Sequence, residues 1–98
     1  MIETTVHIGI LSFQILIAGS QSLKEKRRVL KSIKDRIRAQ FNVSIAEIDS
    51  MDKWQIAALG VCMIGNDKPY LDGTLQKIAQ CLVAMGGFEL LRYEMDFL

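Results

Sequence analysis

Proline, histidine and tryptophan each occur once in the 98 residues, and cysteine occurs twice. Each scarcity removes a class of protein. Cys62 and Cys81 stand far apart in apolar runs and form no CxxC pair, so neither a disulfide framework nor a zinc site is expected. The spacing predicts buried, reduced thiols, as in a cytoplasmic protein. His7 sits in an apolar run with no serine, aspartate or cysteine partner in view, which leaves it as a core or edge histidine and not a catalytic base. No metal and no cofactor is expected.

Charge is also missing where it would matter most. Thr4 to Leu23 carries no formally charged side chain. A membrane span or a signal sequence would need more than this. Glu3 stands where a signal peptide has basic residues, and the apolar run ends at Ala18-Gly19-Ser20-Gln21, short of the ~20 residues that cross a bilayer. The expected location is the cytoplasm.

What the chain does have is apolar residues, 50% of the total, and an uneven charge distribution hidden beneath a net charge of +1. Eight of the twelve lysines and arginines lie between Ser22 and Gln40, where the only acids are Glu25 and Asp35. That segment therefore carries +6 and the rest of the chain −5. The length suits one core, so one domain is expected over residues 1–98.

Thr5 to Ile17 reads as a long strand with Leu11, Phe13, Ile15 and Ile17 on one face. Ser22-Leu23-Lys24-Glu25 has the form of a capping box, in which serine and glutamate satisfy each other's backbone N–H groups, and it predicts a helix start. Leu23, Leu30, Ile33, Ile37 and Phe41 then follow the helical period, with Val29 at the margin. Val43 to Ile48 alternates as a second strand, and Trp54 to Ile64 reads as a third. Asn66 or Asp67 is placed to cap a second helix with Pro69 in its first turn, where a missing N–H costs nothing. Its apolar positions are Leu71, Leu75, Ile78, Ala79, Leu82 and Met85, Gly86-Gly87 ends it, and Phe88 to Phe97 alternates as a last strand. The order β-α-β-β-α-β is that of an α+β, ferredoxin-like fold, a four-stranded antiparallel sheet with both helices on one face.

Gln21-Ser22-Leu23-Lys24-Glu25-Lys26-Arg27-Arg28, then Phe41 to Asp49, then Asp52-Lys53-Trp54-Gln55 and Leu59-Gly60, resemble in that order the YlxP-like family of small bacterial proteins. The resemblance covers nearly the whole chain and implies the ferredoxin-like fold, no established enzymatic activity, and genes that commonly lie beside translation and ribosome-maturation factors. By that association it implies an RNA or ribosomal partner. The chain departs from the family at Ala18, where proline is usual before the glycine.

At 100° per residue, Lys24, Arg27, Arg28, Lys31, Lys34 and Arg38 fall within an arc of about 120° beside the apolar stripe. This ridge runs about 21 Å along the helix, long enough to meet several phosphates of a folded RNA. An ordinary solvated face would mix signs to form i,i+4 pairs, whereas only Asp35 lies within this arc. The ridge is therefore the candidate nucleic-acid-binding surface, with a solvated face as the alternative. Gly19 to Ser22, at the helix N-terminus, is either a phosphate-holding turn or an ordinary capped one.

Lys26 falls inside the apolar stripe, where an ammonium needs a partner, and Glu47 or Asp49 would supply a structural ion pair. A lysine snorkelling at the rim and a catalytic lysine are the other readings. The third strand holds no Phe or Tyr, so base stacking on the sheet in the manner of an RNA-recognition motif is not expected. Trp54 and Tyr93 are expected to be packed aromatics. Acylphosphatase shares the topology, but its arginine after the first strand and asparagine on the second have no counterpart here. A phosphate-ester enzyme is thus the remotest alternative. A homodimeric small-molecule-binding or protein-interaction module stands between, because Val6, Ile8, Ile10, Ser12, Gln14 and Leu16 make the outer face of the first strand apolar where an open sheet should be polar.

Overall fold

The computed structural model describes residues 4–98. Six elements follow in the order β1 (His7–Leu16), α1 (Leu23–Gln40), β2 (Ser44–Asp49), β3 (Ile56–Gly65), α2 (Lys68–Ala84) and β4 (Glu89–Phe97). The strands form one antiparallel sheet in the order β2-β3-β1-β4, so each helix connects two strands that are not neighbours. This is the βαββαβ ferredoxin-like arrangement.

The alternation of β1 and β3 decides where the helices go. Leu11, Phe13 and Ile15 of β1 and Ala57, Leu59, Val61 and Met63 of β3 are buried, whereas their even-numbered neighbours are only partly covered or exposed. Both helices therefore lie on the same face. Leu30, Ile33 and Ile37 from α1 meet Leu71, Leu75, Ile78, Ala79 and Leu82 from α2 in one cluster with those strand residues. Gly9 allows the close approach of α2, since a Cβ there would lie 2.9 Å from Leu75 Cδ1 and 3.2 Å from the Phe97 ring.

Several boundaries differ from the sequence reading for identifiable reasons. Trp54 is outside β3 and 54% exposed, and Tyr93 is 49% exposed, so neither is a packed core aromatic. Tyr93 does share the helix-side face, because a bulge resets the phase of β4: Ile15 pairs with Leu90 and Gln14 with Arg92, leaving Leu91 over. Simple alternation from Phe88 would have turned Arg92 inward. Cys62 is exposed on the outer face and Cys81 is partly exposed, which corrects the expectation of two buried thiols; both are free. Asp67 is the N-cap of α2, although its side chain makes no capping bond, and Pro69 sits in the first turn. The helix stops at Ala84 with Met85 as its cap, so Gly86-Gly87 is the connector into β4, Gly87 with φ +95°.

Candidate functional site

Helix α1 is capped by side chains at its N-terminus and by the Phe41 backbone N–H, which donates to Ile37 O at 2.9 Å, at its C-terminus. Ser22 Oγ accepts from the Glu25 N–H at 3.1 Å, as a capping serine does, but the Glu25 carboxylate accepts from the Gln21 N–H at 2.6 Å, one residue earlier than in the reciprocal box. The first-turn carboxylate is thus engaged at the N–H that precedes the cap. The Gly19–Ser22 turn is closed on itself as well, with Ser20 N–H donating to Ile17 O at 3.2 Å and Gln55 Nε2 to Ser20 O at 3.3 Å. The helix start is a capped turn.

Leu30, Ile33 and Ile37 bury one face of α1, which leaves Lys24, Arg27, Arg28, Lys31 and Arg38 exposed and Lys34 partly covered. Two of the six make bonds within the protein. Lys31 Nζ donates to Asp35 Oδ2 at 2.7 Å, and this hydrogen bond, with further attraction from Arg38 and Lys34, holds the Asp35 carboxyl below its ordinary pKa. Arg38 Nη2 donates to Ile45 O at 3.0 Å and so satisfies a carbonyl of β2, an edge strand. Among the described residues, Lys24, Arg27, Arg28 and Lys34 make no ion pair.

Lys26 lies on the other side of the helix, 1% exposed. Its ammonium is 2.8 Å from Glu47 Oε2 and donates to Ser50 O at 2.6 Å. Asp49 is not part of this contact, since its carboxylate accepts from the Ser50 N–H at 2.7 Å. Ser50 has φ +63°, a left-handed conformation that an Asp-Ser turn tolerates. The lysine therefore ties α1 to β2 and to the turn that follows it.

One flank of α1 holds an arrangement that the helical arc alone does not bring out. Arg28, Ser32 and Arg36 share a stripe at i, i+4 and i+8 and, with Gly86 and Gly87, line a concavity of about 250 Å³ to which Val29 and Phe88 add apolar surface. The spacing of the three α1 residues is visible in the sequence. Their position beside the connector before β4 is not.

The outer face of the sheet is apolar over three strands. Ile8 and Ile10 of β1 pair with Ile64 and Cys62 of β3, and Ile48 of β2 covers Gly60. Ile48 is 54% and Ile64 68% exposed. Ile10, Ala46, Ile48 and Cys62 line a shallow depression of about 300 Å³ there. Towards β4 the same face becomes polar, where Ser12, Gln14, Arg92 and Glu94 border a second hollow of about 220 Å³ with Asp49. On β1 and β3 this face carries no aromatic side chain, so bases have no stacking platform there.

Comparison with known proteins agrees with this architecture. A designed protein, "De novo designed protein Foldit4", superposes with a TM-score of 0.55 over 94% of this chain and 96% of its own, at 12% identity, which is a likeness of fold alone. The "Uncharacterized protein YlxP" of Bacillus subtilis (strain 168) is 38% identical over 71 residues, covering 72% of this chain and 77% of that protein. Residues 8–95 match the family described as "Protein of unknown function (DUF503)". With that match spanning both helices and all but the outermost residues of the four strands, the chain belongs to the DUF503 family, and YlxP is a relative of it.

Proposed function

We propose that this protein binds structured RNA, in ribosomal particles or free, through the basic face of α1, and acts in the cytoplasm in ribosome maturation or translation. The observation that carries this reading is the exposure of Lys24, Arg27 and Arg28 without an ion pair among the described residues, on a face whose acid is Asp35. A helix needing charge only for solvation would pair it. The outer sheet face lacks the aromatic platform of the usual RNA-binding sheet, which leaves electrostatic contact by the helix as the mode. Neutralising about four to six phosphates releases counterions, so log affinity falls with log salt at a slope of roughly −3 to −5. Filter binding to ribosomal RNA between 50 and 200 mM salt, as roughly the useful range, tests it. No association even at the lower salt would reduce the ridge to a solvated face.

The apolar outer sheet face favours a second, compatible reading, a homodimer through the sheet. Ile8, Ile10, Ile48 and Ile64 form a surface that water disfavours, and two copies related by a two-fold axis would cover it. The helices lie on the opposite side, so such a dimer presents two basic ridges outward. Sedimentation over a concentration series tests it.

A further inference from the structure

The ridge accounts for one side of α1, but Arg36 lies outside it and has a different setting. Arg28, at the margin of the ridge, and Arg36 are separated by eight residues, about 12 Å along the helix, with the Ser32 hydroxyl between them. They line the concavity of about 250 Å³ together with the Gly86-Gly87 connector. A Cβ built on either glycine would meet nothing within 4 Å, so the main chain there is open to a ligand approaching closely. Phe88 and Val29, both partly buried against the core, add apolar surface. No acidic side chain lines the concavity among the described residues. Glu25, one turn before Arg28, is held at the Gln21 N–H.

This combination selects its occupant. Two guanidinium groups in the lining call for negative charge at two points, and apolar surface with an aromatic ring calls for a flat, weakly polar body between them. An unpaired nucleotide has both parts, a base with a phosphate on either side. A free small molecule is a poorer fit, because the space is below the ~300–1,000 Å³ of typical small-molecule sites and is open at one side. It suits one unit of a longer ligand whose remainder lies elsewhere. Arg28 belongs both to the ridge and to this concavity, so the two surfaces are continuous.

We infer that the groove between α1 and the Gly86-Gly87 connector receives an unpaired nucleotide of the bound RNA, its base against Phe88 and its phosphates on Arg28 and Arg36. The inference rests on the ridge as the RNA-binding surface and adds what the ridge cannot supply, a preference for RNA with an unpaired segment beside a helix.

The test uses the full chain, labelled with ¹⁵N, and two probes: a blunt RNA duplex and the same duplex carrying a short single-stranded overhang. The backbone amides of Ser32, Gly86 and Gly87 are expected to shift with the overhang probe and stay in place with the blunt one, while Lys24, Arg27 and Lys31 respond to both. Arg36→Ala and, separately, Phe88→Leu are expected to weaken the overhang complex about tenfold and leave the blunt complex within about twofold. Leucine at position 88 keeps an apolar side chain on the core, and Arg36 is exposed, so both variants fold. If both probes bind equally and only the ridge amides move, the groove is overturned and the ridge stands. If neither probe binds the parent, both readings fall. Preferential displacement of the overhang probe by an acidic peptide would overturn the nucleotide assignment in favour of a protein ligand.

Discussion

Lys26 and Glu47 meet at 2.8 Å between α1 and β2, and the two ends of the pair differ in burial: the lysine side chain is 2% exposed and the glutamate 20%. Glu47 is partly exposed as a side chain, although Oε2, the oxygen that meets the lysine, is buried with no hydrogen-bond donor besides it. Lys26 is buried, and without Glu47 its remaining partner would be the Ser50 carbonyl.

This asymmetry predicts unequal costs. Glu47→Ala strands a buried ammonium and is expected to lower stability by about 3 to 5 kcal/mol. Lys26→Met fills the same space without charge and leaves a carboxylate that reaches water by turning Oε2 outwards from its partly exposed position, so it is expected to cost less. Joint replacement by methionine and leucine is expected to fall near the parent. Urea unfolding of the single and double variants gives the comparison; equal losses for the two single changes would contradict the account.

The phase of α1 has its own test. Leu30 is 2% exposed in the middle of the buried stripe, and Leu30→Ala is expected to cost about 2 to 5 kcal/mol through the cavity it opens. Ser22→Ala removes one capping bond and is expected to cost about 1 kcal/mol with the fold intact. Thermal melting followed by circular dichroism measures both.

Charge reversal separates a defined RNA surface from general positive charge. Replacing Arg27, Arg28 and Lys31 by glutamate is expected to abolish RNA binding while the melting temperature barely changes, since exposed charges add little to stability. Neutralising Lys53, Lys68 and Lys77 is expected to matter far less. Electrophoretic mobility shifts with one ribosomal RNA fragment compare the two sets, and equal losses would remove the ridge as the site.

Association is expected to follow the outer face of the sheet. Ile8→Lys and Ile10→Lys place charge at its centre and are expected to turn a dimer into a monomer in sedimentation experiments, without loss of fold. A parent that stays monomeric at high concentration would end that reading.

Asp35 supplies a pH prediction. Its folded pKa is lowered by the bond from Lys31, so any stabilisation from the pair is complete above the ordinary aspartate pKa of about 3.9 and is lost as pH falls through the lower folded value. Carboxyl NMR titration is expected to show a midpoint below that of a free aspartate in the parent and a return towards it in Lys31→Ala.

Much of this molecule is legible in its sequence, because the signals are local. The periodicity of Leu30, Ile33 and Ile37, the odd-numbered apolar face of β1 and the Ser22 cap each depend on residues within one element, so pattern alone determined the element order, the βαββαβ fold and the position of the basic ridge. Other features depend on contacts between distant segments, which no local pattern encodes. The choice of Glu47 over Asp49 as the partner of Lys26 follows from which side of β2 faces α1, with Asp49 turned instead to the Ser50 N–H. The bulge at Leu91 that turns Tyr93 to the helix side is set by the register of β4 on β1. The groove joins residues some fifty positions apart, Arg28, Ser32 and Arg36 on one helix and the glycines before β4. Only the packed sheet and helices bring those residues together, since a site assembled from separate elements exists only once burial of the core has fixed their relative positions.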